Sequence, residues 1–446
     1  MDGLSGLGQA RRQLGLGLTA AVAGLLTWVA SPGLPIWWAP RASASAKAAG
    51  LALFEHEWTP HDPLAKGDGL GPVFNGRSCV ACHFQGGVGG GGNNKQNVRS
   101  FMALPTKDRP DLSGGLIHAF AVENKFLEGD KKLRKMFPII PGSVTVSGDC
   151  RVFTRDFDPL RTESVNSTAL FGAGWIDRLS GKTIYQHGLR KAVAKVGREV
   201  TGEFGGVLPG RPRVLADGRV GKFGWKAQFA TLEEFVAAAC ANEVGLGNPR
   251  MPQATPIGHN YPEVDPDLDR KQFRSLVAFI DTLPRPTELV PDLSDKAAEA
   301  TRGREVFASV GCASCHTPDI GGLAGVYSDF LLHRLDDRSN GEGSGYSTLD
   351  SPEVPLPDAF PLAEEWKTPA LWGVADSAPY FHDGGSPTLE AAIARHHGDA
   401  EEVLKRHRGL TPGDAQALLT FLGTLKAPAE AKPAIDPDRG VLASAR

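Results

Sequence analysis

The hydrophobic pattern divides the chain into one long apolar run near its start and two later stretches with helical spacing. The run from Leu14 to Ala30 contains no charged residue. Apolar residues recur at helical intervals in 273–283 and again in 417–425, and Pro284 stops the first of these stretches. The pattern therefore predicts a leader segment followed by two units, each of which closes with a helix.

The leader has the features of a signal peptide. Arg11 and Arg12 precede the apolar run, and small residues at 42–46 follow it as cleavage sites. The run is short for a membrane span, so we expect a cleaved signal over residues 1–46 and a periplasmic, exported protein. Membrane association is expected only if the signal stays uncleaved. In that oxidising compartment Cys150 and Cys240 either form a disulfide or remain isolated thiols.

The remaining chain predicts two domains, at 47–285 and 286–428, with a Pro-rich boundary at 284–291 and a disordered tail at 429–446. Both domains have Thr-Leu-Glu at a helix start, and the residue seven positions before the Leu is Trp225 in one and His382 in the other. The predicted fold is mainly α, with two cytochrome c-like domains related by duplication and joined by long ordered loops. A net charge of only −3 gives no indication of nucleic-acid binding.

One short motif occurs in both domains. It is C-x-x-C-H, in which two thiols reach the two vinyl groups of one porphyrin and the His binds the iron from below. A zinc or thiol-redox site is the alternative for C-x-x-C alone, but two copies each followed by His favour two covalently bound c-type haems. The residues concerned are Cys79, Cys82 and His83 in the first copy and Cys312, Cys315 and His316 in the second.

Several further stretches resemble the di-haem oxidoreductase family, which is related to the bacterial di-haem cytochrome c peroxidases. The resemblance implies an electron-transfer haem in one domain and a peroxide-reacting haem with an open or exchangeable site in the other. The order of these stretches along the chain is specific to the family, although each stretch by itself is weak evidence for it. The stretches are 71–79, 169–174, 223–228, 368–373 and 380–384.

The resemblance also implies ligands and catalytic groups. In the peroxidases the distal ligand of the C-terminal haem lies seven residues after the Leu of Thr-Leu-Glu, which here is His396. Its neighbour His397 is the alternative ligand, and both could instead be ordinary polar residues. His396 with His316 would saturate the iron, which suits electron transfer rather than substrate binding. The same step in the first domain reaches Ala239, which cannot bind a metal, so the N-terminal haem at His83 is the expected reactive centre.

Three more residues around the reactive haem follow from the family pattern. Glu243 resembles the acid/base that moves a proton between the peroxide oxygens, with a surface Glu as the alternative. Trp225 matches the tryptophan that the family places between its haems, with a core Trp as the alternative. His118 either caps the N-terminal iron at rest or is an ordinary loop residue.

The expected function is reduction of hydrogen peroxide with electrons from a donor protein, either a cytochrome c or a cupredoxin. Oxidation of an organic or protein substrate remains open as an alternative enzyme class. A plain di-haem electron carrier remains open as a function outside enzymes.

Overall fold

The computed structural model describes residues 42–107, 113–147, 150–154, 156–201, 208, 210–289, 291–335, 364–437 and 442–443. Most of the expected signal peptide, residues 1–41, lies outside this part, and the first helix begins at Ala44, before the expected end of the signal at 46. None of the helices described is both long enough and apolar enough to cross a membrane.

The described residues form ten α-helices and several small sheets. The helices are α1 Ala44–Glu55, α2 Gly129–Met136, α3 Ala173–Arg178, α4 Gly181–Thr201, α5 Leu232–Glu243, α6 Arg270–Asp281, α7 Ser294–Val310, α8 Leu389–Ala394, α9 Glu401–Arg408 and α10 Pro412–Leu422. The strands are β1 Val73–Phe74, β2 Val98–Ala103, β3 Ser113–Ile117, β4 Phe120–Ala121, β5 Val144–Ser147, β6 Cys150–Phe153, β7 Leu160–Val165, β8 Asp319–Ile320, β9 Leu323–Ala324, β10 Leu332–Arg334, β11 Glu365–Lys367, β12 Ala434–Ile435 and β13 Leu442–Ala443.

Helix α1 packs across helix α6 in the N-terminal part of the chain. The helices approach so closely that a Cβ on Gly50 would lie 2.0 Å from the carbonyl oxygen of Ser275. One turn along, the rings of Phe54 and Phe279 meet edge to face with centroids 5.2 Å apart. Close backbone contact and an aromatic pair therefore hold this crossing together.

Helix α7 packs across helix α10 with matching contacts in the C-terminal part. A Cβ on Gly303 would lie 1.9 Å from the carbonyl oxygen of Ala417, and the rings of Phe307 and Phe421 lie 5.4 Å apart. The two Thr-Leu-Glu helices also begin as predicted. Thr231 caps α5 and Thr388 caps α8, each accepting a hydrogen bond from a backbone N–H of the first turn.

The structure has more β-structure than the predicted fold. Strands β3, β2 and β7 form a three-stranded antiparallel sheet in that order, and further two-stranded ribbons are spread along the chain. A small apolar cluster with Ala103, Leu133 and Leu160 lies at this sheet. These strands fill the long segment between the first haem motif and α3, for which the sequence predicted only loops.

The tail predicted to be disordered from residue 429 is ordered over its described part, up to 437. The N–H of Val88 donates to the carbonyl of Lys432 at 2.7 Å, and the side chain of Lys432 pairs with Glu55 of α1. Ala434 is buried in the N-terminal core. The prediction of disorder for these residues was wrong, because a Pro- and Ala-rich tail can still gain order by packing on a distant part of the chain.

Candidate haem sites and the bridge between them

The first C-x-x-C-H motif lies in a loop beneath α1. The Nδ1 of His83 lies 3.0 Å from the carbonyl oxygen of Gly90, and a carbonyl can only accept, so Nδ1 carries the proton. In this tautomer Nε2 is the nitrogen that can bind a metal, and the carbonyl of Thr168 is a second hydrogen-bond acceptor beside the ring. Burial lowers the pKa of His83, which keeps the ring neutral. The ring of Phe54 lies 6.4 Å from that of His83, so the motif is anchored to α1.

Glu243 ends helix α5 beside this motif. The amide of Asn75 donates to the carboxylate of Glu243 at 2.9 Å, and the backbone N–H of Asn75 donates to the carbonyl of Glu243 at 2.7 Å. Burial raises the pKa of Glu243 to about 7, although the hydrogen bond from Asn75 opposes the shift. The charge of Glu243 is also one of the causes that raise the pKa of Cys82, after burial, so the two groups are close.

His118 lies near Glu243, but it forms its hydrogen bond through the other ring nitrogen than His83 does. Its Nε2 lies 2.8 Å from the carbonyl oxygen of Asn242, which makes Nε2 the protonated nitrogen and leaves Nδ1 as the free one. Burial lowers the pKa of His118. Ala239 lies one turn back on α5 and offers no ligand atom. Asn75 was not predicted as a site residue, although it lies only four positions before Cys79.

At the second motif, His316 and His396 face each other with ring centroids 6.4 Å apart. The Nδ1 of His316 donates to the carbonyl of Tyr327 at 3.1 Å, and the Nδ1 of His396 donates to the carbonyl of Ala392 at 2.8 Å. Both rings therefore keep a free lone pair on Nε2. Burial and then the proximity of His396 lower the pKa of His316 to about 4, and burial lowers the pKa of His396, so both rings are neutral.

This pair of histidines fits an iron ion bound between them. Two metal–nitrogen bonds of about 2 Å, with roughly 1 Å more from each nitrogen to its ring centre, span roughly 6 Å. The observed 6.4 Å matches that sum. His397 does not share this arrangement, because its Nδ1 lies 2.8 Å from the carboxylate of Glu401.

A cavity of about 300 Å³ lies against Cys312, Cys315 and both histidines and extends to Trp225. Trp372 also lines it, and the buried indole N–H of this residue has no hydrogen-bond partner among the described residues. A group bound in the cavity could therefore bring an acceptor for that donor. The two facing histidines, the two cysteines at the cavity and the unpaired indole N–H of Trp372 all fit a haem.

Trp225 lies where three aromatic rings meet beside the cavity. The ring of Trp366 stacks on that of His382 with centroids 3.6 Å apart and planes 13° apart. Trp225 stands edge-on to both, at 6.5 Å from Trp366 and 6.4 Å from His382. Phe381 then continues the contact, since its ring lies 5.5 Å from that of His396. An aromatic path therefore joins Trp225 to the second histidine pair.

The segment 166–168 joins the same aromatic group to the first motif. The indole N–H of Trp225 donates to the carbonyl of Asn166 at 2.8 Å, and the N–H of Asn166 donates to the carbonyl of His382. The next residue, Ser167, accepts a backbone hydrogen bond from Gly92 and also bonds to Cys82. Trp225 therefore lies between the two motifs, where the family pattern places its tryptophan.

A buried ionic network beside the second motif was missed entirely. Asp329 accepts from Lys191 at 2.7 Å and pairs with the Nε2 of His333 at 2.9 Å, while the Nδ1 of His333 lies 3.5 Å from the sulfur of Cys315. Burial opposes protonation of His333, whereas the neighbouring sulfur of Cys315 and the carboxylate of Asp329 raise its pKa. No motif marks Lys191, Asp329 or His333, because only folding brings them together beside Cys315.

The two remaining cysteines do not behave as a pair in the part of the structure that is described. Cys240 is a free, buried thiol on α5, and burial raises its pKa well above the usual value. The side chain of Cys150 lies outside the described residues. Of the two alternatives for Cys240, the structure shows the isolated thiol.

Two solved structures show distant similarity to this chain. One is a MauG-like protein associated with microbial copper homeostasis, with 15% sequence identity, coverage of 92% of this chain and 97% of that chain, and a TM-score of 0.39. The other is the xenon-pressurised hydrazine synthase of Kuenenia stuttgartiensis, with 17% identity, coverage of 59% of this chain and 73% of that chain, and a TM-score of 0.34. With TM-scores below 0.5, neither similarity bears on fold or function.

No curated protein sequence matches the chain. One protein-family model, described as "Di-haem oxidoreductase, putative peroxidase", matches residues 210–425. The matched part contains Trp225, Glu243, the second haem motif and His396, whereas the first motif lies before it. The family model therefore matches residues 210–425, just under half of the chain, and it is the family that the resemblance predicted.

Proposed function

We propose that this chain is an exported, periplasmic di-haem c-type oxidoreductase that reduces hydrogen peroxide with electrons from a cytochrome c or a cupredoxin. The family match supports a di-haem redox enzyme. The finer parts of the proposal rest on the geometry of the two motifs and on the leader sequence. Each motif would hold one haem through its two cysteines, with His83 and His316 as the iron ligands.

The proposal includes a fold made mainly of α-helices, with two cytochrome c-like domains that arose by duplication. The matched helix crossings support it. Gly50 and Gly303 both lie against a backbone carbonyl of the closing helix. The ring of Phe54 lies 6.4 Å from that of His83, and the ring of Phe307 lies 6.5 Å from that of His316. Shared contacts at matching positions are what a repeated unit retains.

The observation that carries the proposal is the difference between the two sites. The step from Thr-Leu-Glu reaches His396 in the second domain, where it faces His316, but reaches Ala239 in the first. The part-buried carboxyl group of Glu243 beside the first motif, with a pKa of about 7, supports proton transfer there near neutral pH. One site is therefore arranged for electron transfer and the other for chemistry.

When bound, the haems supply one-electron chemistry and a coordination position for peroxide. Glu243 would accept a proton from one peroxide oxygen and return it to the other oxygen as the O–O bond breaks. Asn75 holds the carboxylate in place through its amide. Trp225 passes electrons one at a time from the C-terminal to the N-terminal site. Two electrons and two protons convert each hydrogen peroxide to two waters.

The substitution Glu243→Gln tests the proposal. Because Gln cannot exchange the proton, we expect peroxide consumption with a reduced cytochrome c as donor to fall by roughly 100-fold or more. The matched control is Glu233→Gln, which removes an exposed carboxylate from the first turn of the same helix and should leave the rate near wild type. An unchanged rate in Glu243→Gln would remove the basis for peroxide chemistry at this site.

A further inference from the structure

We infer that Lys226 selects Trp225 as the relay between the haems, because its ammonium lies over the neighbouring indole of Trp366 and makes that ring harder to oxidise. Trp366 is then a second indole on the path that does not pass electrons, because the ammonium of Lys226 opposes its oxidation. The inference rests on the proposed function, in which a tryptophan passes electrons between the two sites.

Proximity to the second site does not favour Trp225 over Trp366. Both indoles line the same cavity and both contact His382. Trp366 in fact makes the closer contact, since it stacks on His382 at 3.6 Å whereas Trp225 meets that ring edge-on at 6.4 Å. Something other than proximity must therefore decide which indole gives up an electron.

The charge of Lys226 provides the difference. Its Nζ lies 3.5 Å from the centre of the Trp366 ring, and Glu163 lies 3.6 Å from the same Nζ and helps to hold it there. Both partners are shielded from water, with the Lys226 side chain 14% exposed and Trp366 6% exposed. Burial lowers the pKa of Lys226 to about 8, so the ammonium is still charged at neutral pH.

A positive charge in this place stabilises the neutral indole and opposes its oxidation. The ammonium is attracted to the electron-rich face of the ring, and that attraction is lost when the ring becomes a cation. The two like charges would then stand face to face with little screening. The carboxylates of Glu163, Glu364 and Glu365 act on the same ammonium and offset part of this repulsion.

Trp225 faces a group of the opposite polarity. Its indole N–H donates to the carbonyl of Asn166 at 2.8 Å, and the negative end of that dipole favours an oxidised ring. A backbone carbonyl is not a base, so the proton stays on the indole. In each transfer one electron leaves Trp225 for the N-terminal site and one electron from the C-terminal site replaces it, and two such transfers reduce one hydrogen peroxide.

The test asks whether removal of Lys226 brings Trp366 into use. The rate of electron transfer between the haems is followed by stopped-flow absorbance after the half-reduced protein is mixed with peroxide. We expect Trp225→Phe to slow this transfer by at least tenfold. Adding Lys226→Met, which keeps the aliphatic stem, should restore at least tenfold, and adding Trp366→Phe as well should abolish the recovery.

A matched control comes from another buried aromatic ring. Lys125 stands 4.8 Å over the ring of Phe126, so Trp225→Phe with Lys125→Met removes a more exposed cation from a ring away from the path and should stay slow. The spectrum of each variant must show both haems. If the Met variant does not, Lys226→Gln takes its place in the comparison.

The outcomes separate the two claims. If Trp225→Phe transfers electrons at the wild-type rate, Trp225 is no relay, and both the proposed route and the role of Lys226 are wrong. If Trp225→Phe is slow and removing Lys226 restores nothing, the proposed route stands and the role of Lys226 is overturned. Recovery that persists without Trp366 also contradicts the inference, since another path then carries the electrons.

Discussion

At the scale of single residues, backbone carbonyls decide which nitrogen each histidine offers. Three histidines donate through Nδ1 and leave Nε2 free, whereas His118 donates through Nε2. A carbonyl both orients the ring and fixes its tautomer, as is usual around metal ligands. The three are the candidate iron ligands His83, His316 and His396.

The pH dependence of peroxide reduction follows from Glu243. A carboxylate must accept the first proton from peroxide, so the rate should rise with pH through the pKa of about 7. The amide of Asn75 stabilises the charged form, and its loss in Asn75→Leu should raise that pKa further. We therefore expect the rising limb of the kcat/KM profile to move to higher pH in this variant.

Asn94→Leu is the control for this experiment, because Asn94 is exposed in the loop after the same haem motif. Its profile should coincide with that of the wild type. A limb that stays in place in Asn75→Leu, or that moves to lower pH, would contradict the role of Asn75 in holding the carboxylate.

At the scale of elements, each pair of crossing helices depends on a glycine. The Cβ of any other residue at 303 would enter the backbone of α10, since it would lie 1.9 Å from the carbonyl oxygen of Ala417. The helices would have to separate, and Phe307 would lose contact with Phe421. These are the contacts that place His316 under the helix pair, as the 6.5 Å between Phe307 and His316 shows.

Gly303→Ala should therefore destabilise the C-terminal part of the protein by about 1–3 kcal/mol, the usual cost of overpacking. Urea unfolding followed at the absorbance of the low-spin haem measures the change. Gly197→Ala is the control, because a Cβ there meets nothing within 4 Å on α4. Ala in that helix should be neutral or gain about 0.5–1 kcal/mol. Equal free energies of unfolding for the two variants would show that the close approach of the helices at Gly303 does not contribute to stability.

At the scale of the whole molecule, the sequence predicted the parts whose chemistry depends on local spacing. The two haem motifs, the Thr caps of α5 and α8 and the family could be recognised because each depends on a few residues at fixed steps. The choice between His396 and His397 stayed open in the sequence. In the structure α8 ends before both histidines. Only the ring of His396 faces His316, whereas His397 is bonded to Glu401.

What could not be predicted depends on residues far apart in the chain. Asn75 meets Glu243 across 168 positions, and Lys191 meets Asp329 across 138. No periodicity or motif records such contacts, because they exist only once the helices have packed. The ordered tail was missed for the same reason, since Val88 supplies the N–H that holds Lys432.

We propose that one haem is saturated for electron transfer and that the other is open for peroxide. Electron paramagnetic resonance of the oxidised protein, with His396→Ala beside the wild type, distinguishes the two states of the iron. We expect one bis-histidine low-spin signal and one high-spin signal, with only the low-spin signal changed by the substitution. Two low-spin signals in the wild type, or a high-spin signal that changes in His396→Ala, would contradict the division between the two sites.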